Sequence, residues 1–544
     1  MTNPIVNVSV SVQSAPIPSL LQKTGAFISQ GATNTSPGTQ SPLTQLSSLT
    51  PLLTGAKAIF SITWVSGVAS VVTVAPHGFT PGDSIYLTIA GASPAGYNTT
   101  ALATITGTSS FTYPLPVGPG GETVPGVYTI EDVAELVAMA TTFFGQGAAQ
   151  SVYVLELGPG NPNDGVAFLT SWIAANPNVF YSYLVPRTWD ANANFLALIA
   201  NFQATGSKTY FFVTTTLATY LNYTAQMKDV VSLIEAPNYS VWPANALTAI
   251  SYAAGQVTAN TTTNHGVSPG QYFTISGVSP SGFNGTFLAQ PGTATNILVY
   301  NLASSPGIES VLGTLVASFY ASAGIPATEF SLAAVFRVTL NYAPSSTNKV
   351  TQLNQAFVFG VTPFPTQGNS ALITALLAAG TNLIGTGAAG GISNALVLGG
   401  QTEDGNPFKY WYSIDWVQIN LARNVQAAII NGANNPINPV DYNQPGINTL
   451  QQAATTTMST GINSGLVLNP IKQTGLSAAQ LVQALDSGTY SGTTLVNADP
   501  FSSYTTENPN DYGNGVYNGI AVYYAPLRGF ETVNINVVVS NFAA

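Results

Sequence analysis

The sequence predicts a multidomain protein of mixed α/β and α+β class: an α/β core carrying two inserted small all-β modules, sandwich or barrel-like, with extended β-strand arms. Three observations lead there. Two separated stretches are copies of one another, apolar strands alternate with amphipathic helices around them, and both ends of the sequence alternate strictly between apolar and polar residues.

The copies run from Ile62 to Tyr113 and from Ile250 to Tyr300. They align through Gly67/Gly255, His77-Gly78/His265-Gly266, Pro81-Gly82/Pro269-Gly270, Ser93-Pro94/Ser279-Pro280 and Tyr97-Asn98/Phe283-Asn284. A repeat interrupted by unrelated sequence means modules set into a host fold. Short β-like runs (Val68 to Val74, Ser84 to Ile89 and Phe111 to Tyr113; Tyr272 to Ile275 and Ile297 to Tyr300) are broken by Pro-Gly and Ser-Pro turns, as expected of small β units. As insertions, both modules are expected on the outside of any assembly.

The remaining elements follow in order. Ile5 to Val12 places Val6, Val8, Val10 and Val12 on one face of a strand, and Thr532 to Val539 places Val533, Ile535, Val537 and Val539 likewise. The Thr/Ser/Pro/Gln-rich stretch 32–54 reads as an extended linker or loosely ordered arm. From Tyr128, helix and strand alternate: a helix start at Glu131-Asp132-Val133, strand Val152 to Leu157, helix Val166 to Ala175, strand Val179 to Val185, helix Ala191 to Ala204 and strand Thr209 to Thr214. Apolar strands between amphipathic helices predict a largely parallel sheet. Beyond the second repeat come helices Phe330 to Thr339 and Ala371 to Ala379, a glycine-rich segment Gly385 to Gly400, a long helix Ile414 to Ile430 stopped by Gly432 and Pro436, and a helix over about Thr449 to Ser459. The expected organisation is 1–56 strand arm and linker, 57–119 first β module, 120–240 and 327–400 α/β core, 241–326 second β module, and 401–544 α+β domain with its own terminal arm.

Composition narrows the function. Charged residues make up 6% of 544 residues, where about 25% is usual, so much of the exterior is expected to be covered by other chains. With 11 basic against 21 acidic residues and a net charge of −10, no basic cluster offers itself to nucleic acid. Cysteine is absent, which excludes disulfides, thiolate metal sites and cysteine nucleophiles. No signal peptide and no apolar run of about 18 residues is present, so neither Sec export nor membrane insertion is expected.

Catalytic motifs are lacking. Gly385-Thr386-Gly387-Ala388-Ala389-Gly390 matches G-x-G-x-x-G, but Ile392 to Leu398 is strand-like where a dinucleotide site needs a helix, so a glycine-rich turn is the better reading. His77 and His265 each stand alone; Asp83 near the first is replaced by Gln271 at the second, so local packing is favoured over a metal or acid/base role. Asp499, Glu507 and Asp511 lack the spacing of a calcium loop. Tyr410-Trp411-Tyr412 and Trp416, at helical spacing with Ile414, Val417 and Ile419, read as core or interface. No catalytic residue, metal or other cofactor is expected, and the protein is not expected to be an enzyme.

Several runs carry a family resemblance: Ser151 to Gly158, Tyr183 to Trp189, Phe211 to Thr216, Gly385-Thr386-Gly387, Tyr410 to Trp416 and Asn431 to Pro439. Over most of 1–50, 120–240 and 327–544 the chain resembles a branch of the contractile-tail sheath proteins of myophages. The repeats resemble small β modules with a His-Gly and Gly-Asp signature found in phage virion proteins, from which Gln271 departs. The resemblance implies a virion protein assembled in the host bacterial cytoplasm. Its subunits would form stacked hexameric rings around a tail tube, meet baseplate and tail terminator proteins, and contract to drive the tube through the host envelope. It also implies that the terminal strands reach neighbouring copies, so Val6, Val8, Val10, Val12, Val533, Ile535, Val537 and Val539 are the expected inter-subunit contacts. The alternative is a phage adhesin or tail-fibre component whose repeats bind host glycan, with a glycan hydrolase a more distant reading.

Overall fold

A computed structural model of the chain describes residues 18–115, 117–147, 151–205, 208–217, 219–223, 227–235, 245–262, 265, 272–316, 329–340, 349–364, 370–386 and 394–528. The protein is mixed α/β, with several sheets and a closed six-stranded barrel.

The chain enters through β1 (Gly25–Ser29), then β2 (Gln40–Leu43). It next builds β3 (Lys57–Val65), β4 (Val68–Thr73), β5 (Ser84–Ala90), β6 (Thr99–Gly107), β7 (Ser110–Pro114) and β8 (Val127–Ile130), which close into the barrel β3-β4-β7-β6-β5-β8. Helix α1 (Glu131–Gly145) returns it to β9 (Val152–Glu156). Then α2 (Pro162–Ala175), β10 (Ser182–Leu184), α3 (Ala193–Thr205), β11 (Tyr210–Thr215) and β12 (Val230–Ile234) complete a sheet of order β12-β11-β10-β1-β9-β2. All its neighbours are parallel except β2 against β9. Crossover helices cover both faces, and strands β9 to β12 are almost uniformly buried apolar runs, as a parallel sheet requires.

Local signals set the helix starts. Asn161 caps α2 with its side chain, accepting from Asn163 N and Asp164 N, while Asp164 Oδ2 accepts from Asn161 N in return. Pro162 at the first position needs no donor there.

The second repeat forms β13 (Asn245–Ala253), β14 (Gln256–Thr261), β15 (Tyr272–Ser276), β16 (Gly285–Leu288), β17 (Ile297–Asn301) and β18 (Thr314–Val316), in the order β16-β15-β18-β13-β14-β17. This is the barrel's order cut open between the counterparts of β6 and β7. Its β16 is shorter than β6, and no β16–β17 ladder closes the ring among the described residues.

Helices α4 (Ser331–Thr339) and α5 (Ser370–Ala378) follow, then the antiparallel pair β19 (Leu383–Thr386) and β20 (Ala395–Leu398). The last region holds α6 (Phe408–Ala433), α7 (Gln444–Asn463), β21 (Ile471–Thr474), α8 (Ala478–Asp486), β22 (Thr494–Ala498), α9 (Phe501–Glu507), α10 (Pro509–Gly513) and β23 (Ile520–Tyr523).

Two cores sandwich the parallel sheet. On one face Phe27, Phe212 and Leu184 pack with Phe143 of α1, Phe336 of α4 and Phe408 and Tyr412 of α6. On the other, Leu155, Tyr183 and Phe211 pack with Leu169 and Trp172 of α2 and Phe195 and Ile199 of α3. Each repeat has its own core.

Several expectations need correction. The segment 32–54 is not a loose arm: β2 lies in it, Leu43 and Leu49 are buried, and Thr54 N donates to Ala32 O at 2.8 Å. Strand β1 precedes that segment at the centre of the sheet, inside the region read as arm and linker. The barrel closes with β8, beyond the boundary expected at 119, because Tyr128 and Ile130 fill its interior. Helix α6 starts at Phe408 rather than Ile414, after Pro407, whose non-helical backbone (ψ 138°) makes it the N-cap. Helix α7 runs longer than expected at both ends, from its Asn443 cap.

Candidate assembly site

The two copies of the repeat share their internal hydrogen bonds. Asn98 Oδ1 accepts from Ala92 N at 2.8 Å and its Nδ2 donates to Ala92 O at 3.0 Å; Asn284 does the same to Val278 at 2.9 and 2.8 Å. Tyr113 Oη donates to Tyr97 O, and Tyr300 Oη to Phe283 O. The histidines belong to this scaffold. His77 is buried, its Nδ1 accepts from Phe79 N at 3.1 Å, and burial lowers its pKa. His265 is buried with Nε2 3.1 Å from Ile297 O. Asp83 accepts from Asn161 Nδ2 at 2.9 Å, tying the barrel to the cap of α2; Gln271 lies outside the described residues.

At the carboxyl ends of the parallel strands, where open α/β sheets commonly bind ligands, the chain has placed its own carboxylate. Glu156 is buried and accepts from Ser29 Oγ, Gly31 N, Thr33 N, Thr33 Oγ1 and Gly158 N at 2.6 to 3.1 Å. Gly31 is at φ +78°, and a Cβ there would sit 2.8 Å from Pro159, so a side chain would break the turn that aims these donors.

A second group of acids, not anticipated from the sequence, lies where the sheet meets α6. Asp415 accepts from Tyr181 Oη at 2.9 Å and Tyr210 Oη at 3.0 Å. Burial raises its pKa to about 6, that of Asp229 to about 7 and that of Glu403 to about 8. Among the described residues no three His, Cys, Asp or Glu are grouped so as to hold a metal ion. In the acidic loop, Asp511 Oδ2 accepts from Tyr504 Oη at 2.6 Å, Asp499 is buried and Glu507 is exposed. Residues 387–390 of the glycine motif lie outside the described residues; Gly385 and Thr386 end β19.

The surface best suited to receive another chain is the sheet β21-β22-β23. Central β22 is fully buried, β21 runs parallel to it and β23 antiparallel. The outer edges of β21 and β23 have no ladder partner among the described residues. Such an edge offers unpaired backbone donors and acceptors. Beside β21 lies an open groove of about 530 Å³, lined by Thr455, Ser459, Ile462 and Asn463 of α7 and by Asn469, Pro470, Ile471 and Gln473, with no charge among them. From beneath, Gln451 Nε2 donates to Thr474 O and Val496 O at 2.7 and 3.0 Å, locking β21 and β22 onto α7. The expected contact residues Val6, Val8, Val10, Val12, Val533, Ile535, Val537 and Val539 all lie outside the described residues.

No protein-family model matches the chain, and no curated protein matches it. Among solved structures it is similar to the sheath tail protein Lin1278 from Listeria innocua, at 9% identity over 82% of this chain and 86% of that chain, with a TM-score of 0.35. At that score no residue role is carried across.

Proposed function

We propose that the chain is a tail sheath subunit, which polymerises around a tail tube and contracts to drive it through the host envelope. The observation that carries this reading is the sheet β21-β22-β23, whose outer edges have no ladder partner among the described residues, in a chain that also holds two segments patterned as amphipathic strands, 5–12 and 532–539. A strand from one copy that completes the sheet of the next gains main-chain hydrogen bonds and stays attached while the bodies of the subunits move. The polar groove beside β21 leaves room for such a strand. Two further features support a structural rather than a chemical role. Only 6% of the residues are charged, and at the strand ends Glu156 is held by the chain's own donors, Ser29 Oγ, Gly31 N, Thr33 N, Thr33 Oγ1 and Gly158 N. The tube and the contraction rest on the sequence resemblance.

Negative-stain microscopy of the purified chain tests the reading: rings or tubes are expected. Slender trimers that bind host glycan would favour the adhesin instead, and dispersed particles with glycan-cleaving activity an enzyme.

A further inference from the structure

The two repeats keep the same inner face and differ on the outer one. In the first, β3 pairs with β4 so that Val65 faces Val68 and Ser61 faces Val72, with Phe60 in a bulge and Val74 bonded back to Ala58. In the second, the same register pairs Ala253 with Gln256 and Ala249 with Asn260, with a bulge at Thr248 and Thr262 bonded back to Ala246. Inward positions agree in character: Ile59/Leu247, Ile62/Ile250, Ala69/Val257 and Val71/Ala259 are buried in both. Outward positions do not. Phe60, Val65, Val68, Val72 and Val74 stand where the second copy has Thr248, Ala253, Gln256, Asn260 and Thr262. On the second copy's face, Ile297 opposite Asn260 is an exposed large apolar residue.

These five side chains are far from covered, at 69, 69, 41, 43 and 64% exposure. Together they present about 500 Å² of apolar surface, at the upper end of what a monomer usually displays. That matches the apolar share, about 57%, of the ~800 Å² that one side of a standard interface buries. The outward positions between them are Ala, Ser and Thr. Two charged residues of the same module are engaged with backbone: Glu122 accepts from Ile62 N at 2.6 Å and Lys57 donates to His77 O at 3.2 Å. Since the second copy folds the same hairpin with Thr248, Ala253, Gln256, Asn260 and Thr262 outside, the fold itself does not require the large apolar ones.

We propose that the outer face of the β3–β4 hairpin is a contact surface for a second copy of this chain. The partner must be apolar and uncharged, because a charged surface would lose its hydration against this face without compensation. A chain with 6% charged residues presents such surface widely, as at Ile429, Ile430 and Ile437 of the C-terminal region. This rests on the reading that copies of the chain associate. It refines the expectation that both modules lie on the outside of the assembly, giving the first a contact role and leaving the second to solvent.

The chain has no cysteine, so Val72→Cys and Asn260→Cys each create a single thiol at equivalent positions of the two repeats. Labelling with a maleimide fluorophore, before and after self-association, is expected to slow at least about tenfold for Val72→Cys and to stay unchanged for Asn260→Cys. The triple variant Phe60→Thr, Val68→Gln, Val72→Asn, built from residues the second repeat already carries, is expected to keep its circular dichroism and to self-associate at least about tenfold more weakly by sedimentation. Associated particles in which Val72→Cys labels as fast as in the monomer, equal slowing at both sites, or a triple variant that associates as well as the parent chain each overturn this proposal alone. A chain that stays monomeric at all concentrations overturns the sheath reading as well.

Discussion

Glu235 and Ser331, 96 residues apart in sequence, are joined by a 2.9 Å hydrogen bond from Ser331 N to Glu235 Oε1. They stand at the two ends of the excursion that carries the second repeat. Arg187 clasps the same point: its Nε lies 2.7 Å from Glu235 Oε2, an Nη donates to Glu329 O at 2.9 Å, and its guanidinium sits 4.1 Å over the Phe330 ring. The root of the excursion is therefore closed by side chains of the α/β core, independently of what the excursion contains.

Removing residues 245–316 and bridging the root with a short Gly-Ser linker is thus expected to leave the core folded and able to self-associate. Circular dichroism and sizing check this. A deletion variant that folds but no longer associates would place the second repeat in the contact network.

The clasp itself has a cost when broken. Arg187→Ala leaves Glu235, which is buried, without its cation, and is expected to destabilise the protein by about 2–4 kcal/mol, the lower part of that range reflecting the partly exposed guanidinium. Urea unfolding followed by tryptophan fluorescence reads the change.

The buried acids give stability an unusual pH dependence. Unfolded, Asp229, Glu403 and Asp415 lose their protons near pH 4; folded, burial holds those protons to about 7, about 8 and about 6. The native state binds more protons across that window, so the contribution of these groups is full below about pH 4 and drains away as pH rises to 8. Thermal stability is expected to fall between pH 5 and 8.5. Glu403→Gln should raise stability at pH 8.5 by about 1–3 kcal/mol and flatten the upper part of the profile. An unchanged profile in that variant would show that Glu403 does not carry it.

Much of the architecture is legible in the sequence, for physical reasons that also explain the gaps. The repeat announces itself through turn residues with fixed backbone demands, such as Gly67 and Gly255, both at positive φ. The parallel sheet announces itself through apolar runs such as Tyr210–Thr215. Strand β1, only Gly25–Ser29, has no alternation because it is buried on both faces, and its Thr- and Pro-rich surroundings read as linker. The acids near α6 were missed because each is remote in sequence from its partners. The one local hint was Asp415, which shares its helix face with Trp411, Tyr412 and Ile419 at i−4, i−3 and i+4.

The central claim is that copies of this chain are linked by strand addition, and Val8→Pro and Ile535→Pro test it most directly. Proline removes a ladder donor and fixes φ. Neither position lies in the elements of the core described above. Sizing and negative-stain microscopy of both variants beside the parent chain are expected to give rings or tubes for the parent and folded, soluble monomers for each variant. Normal polymerisation by both variants would contradict the account.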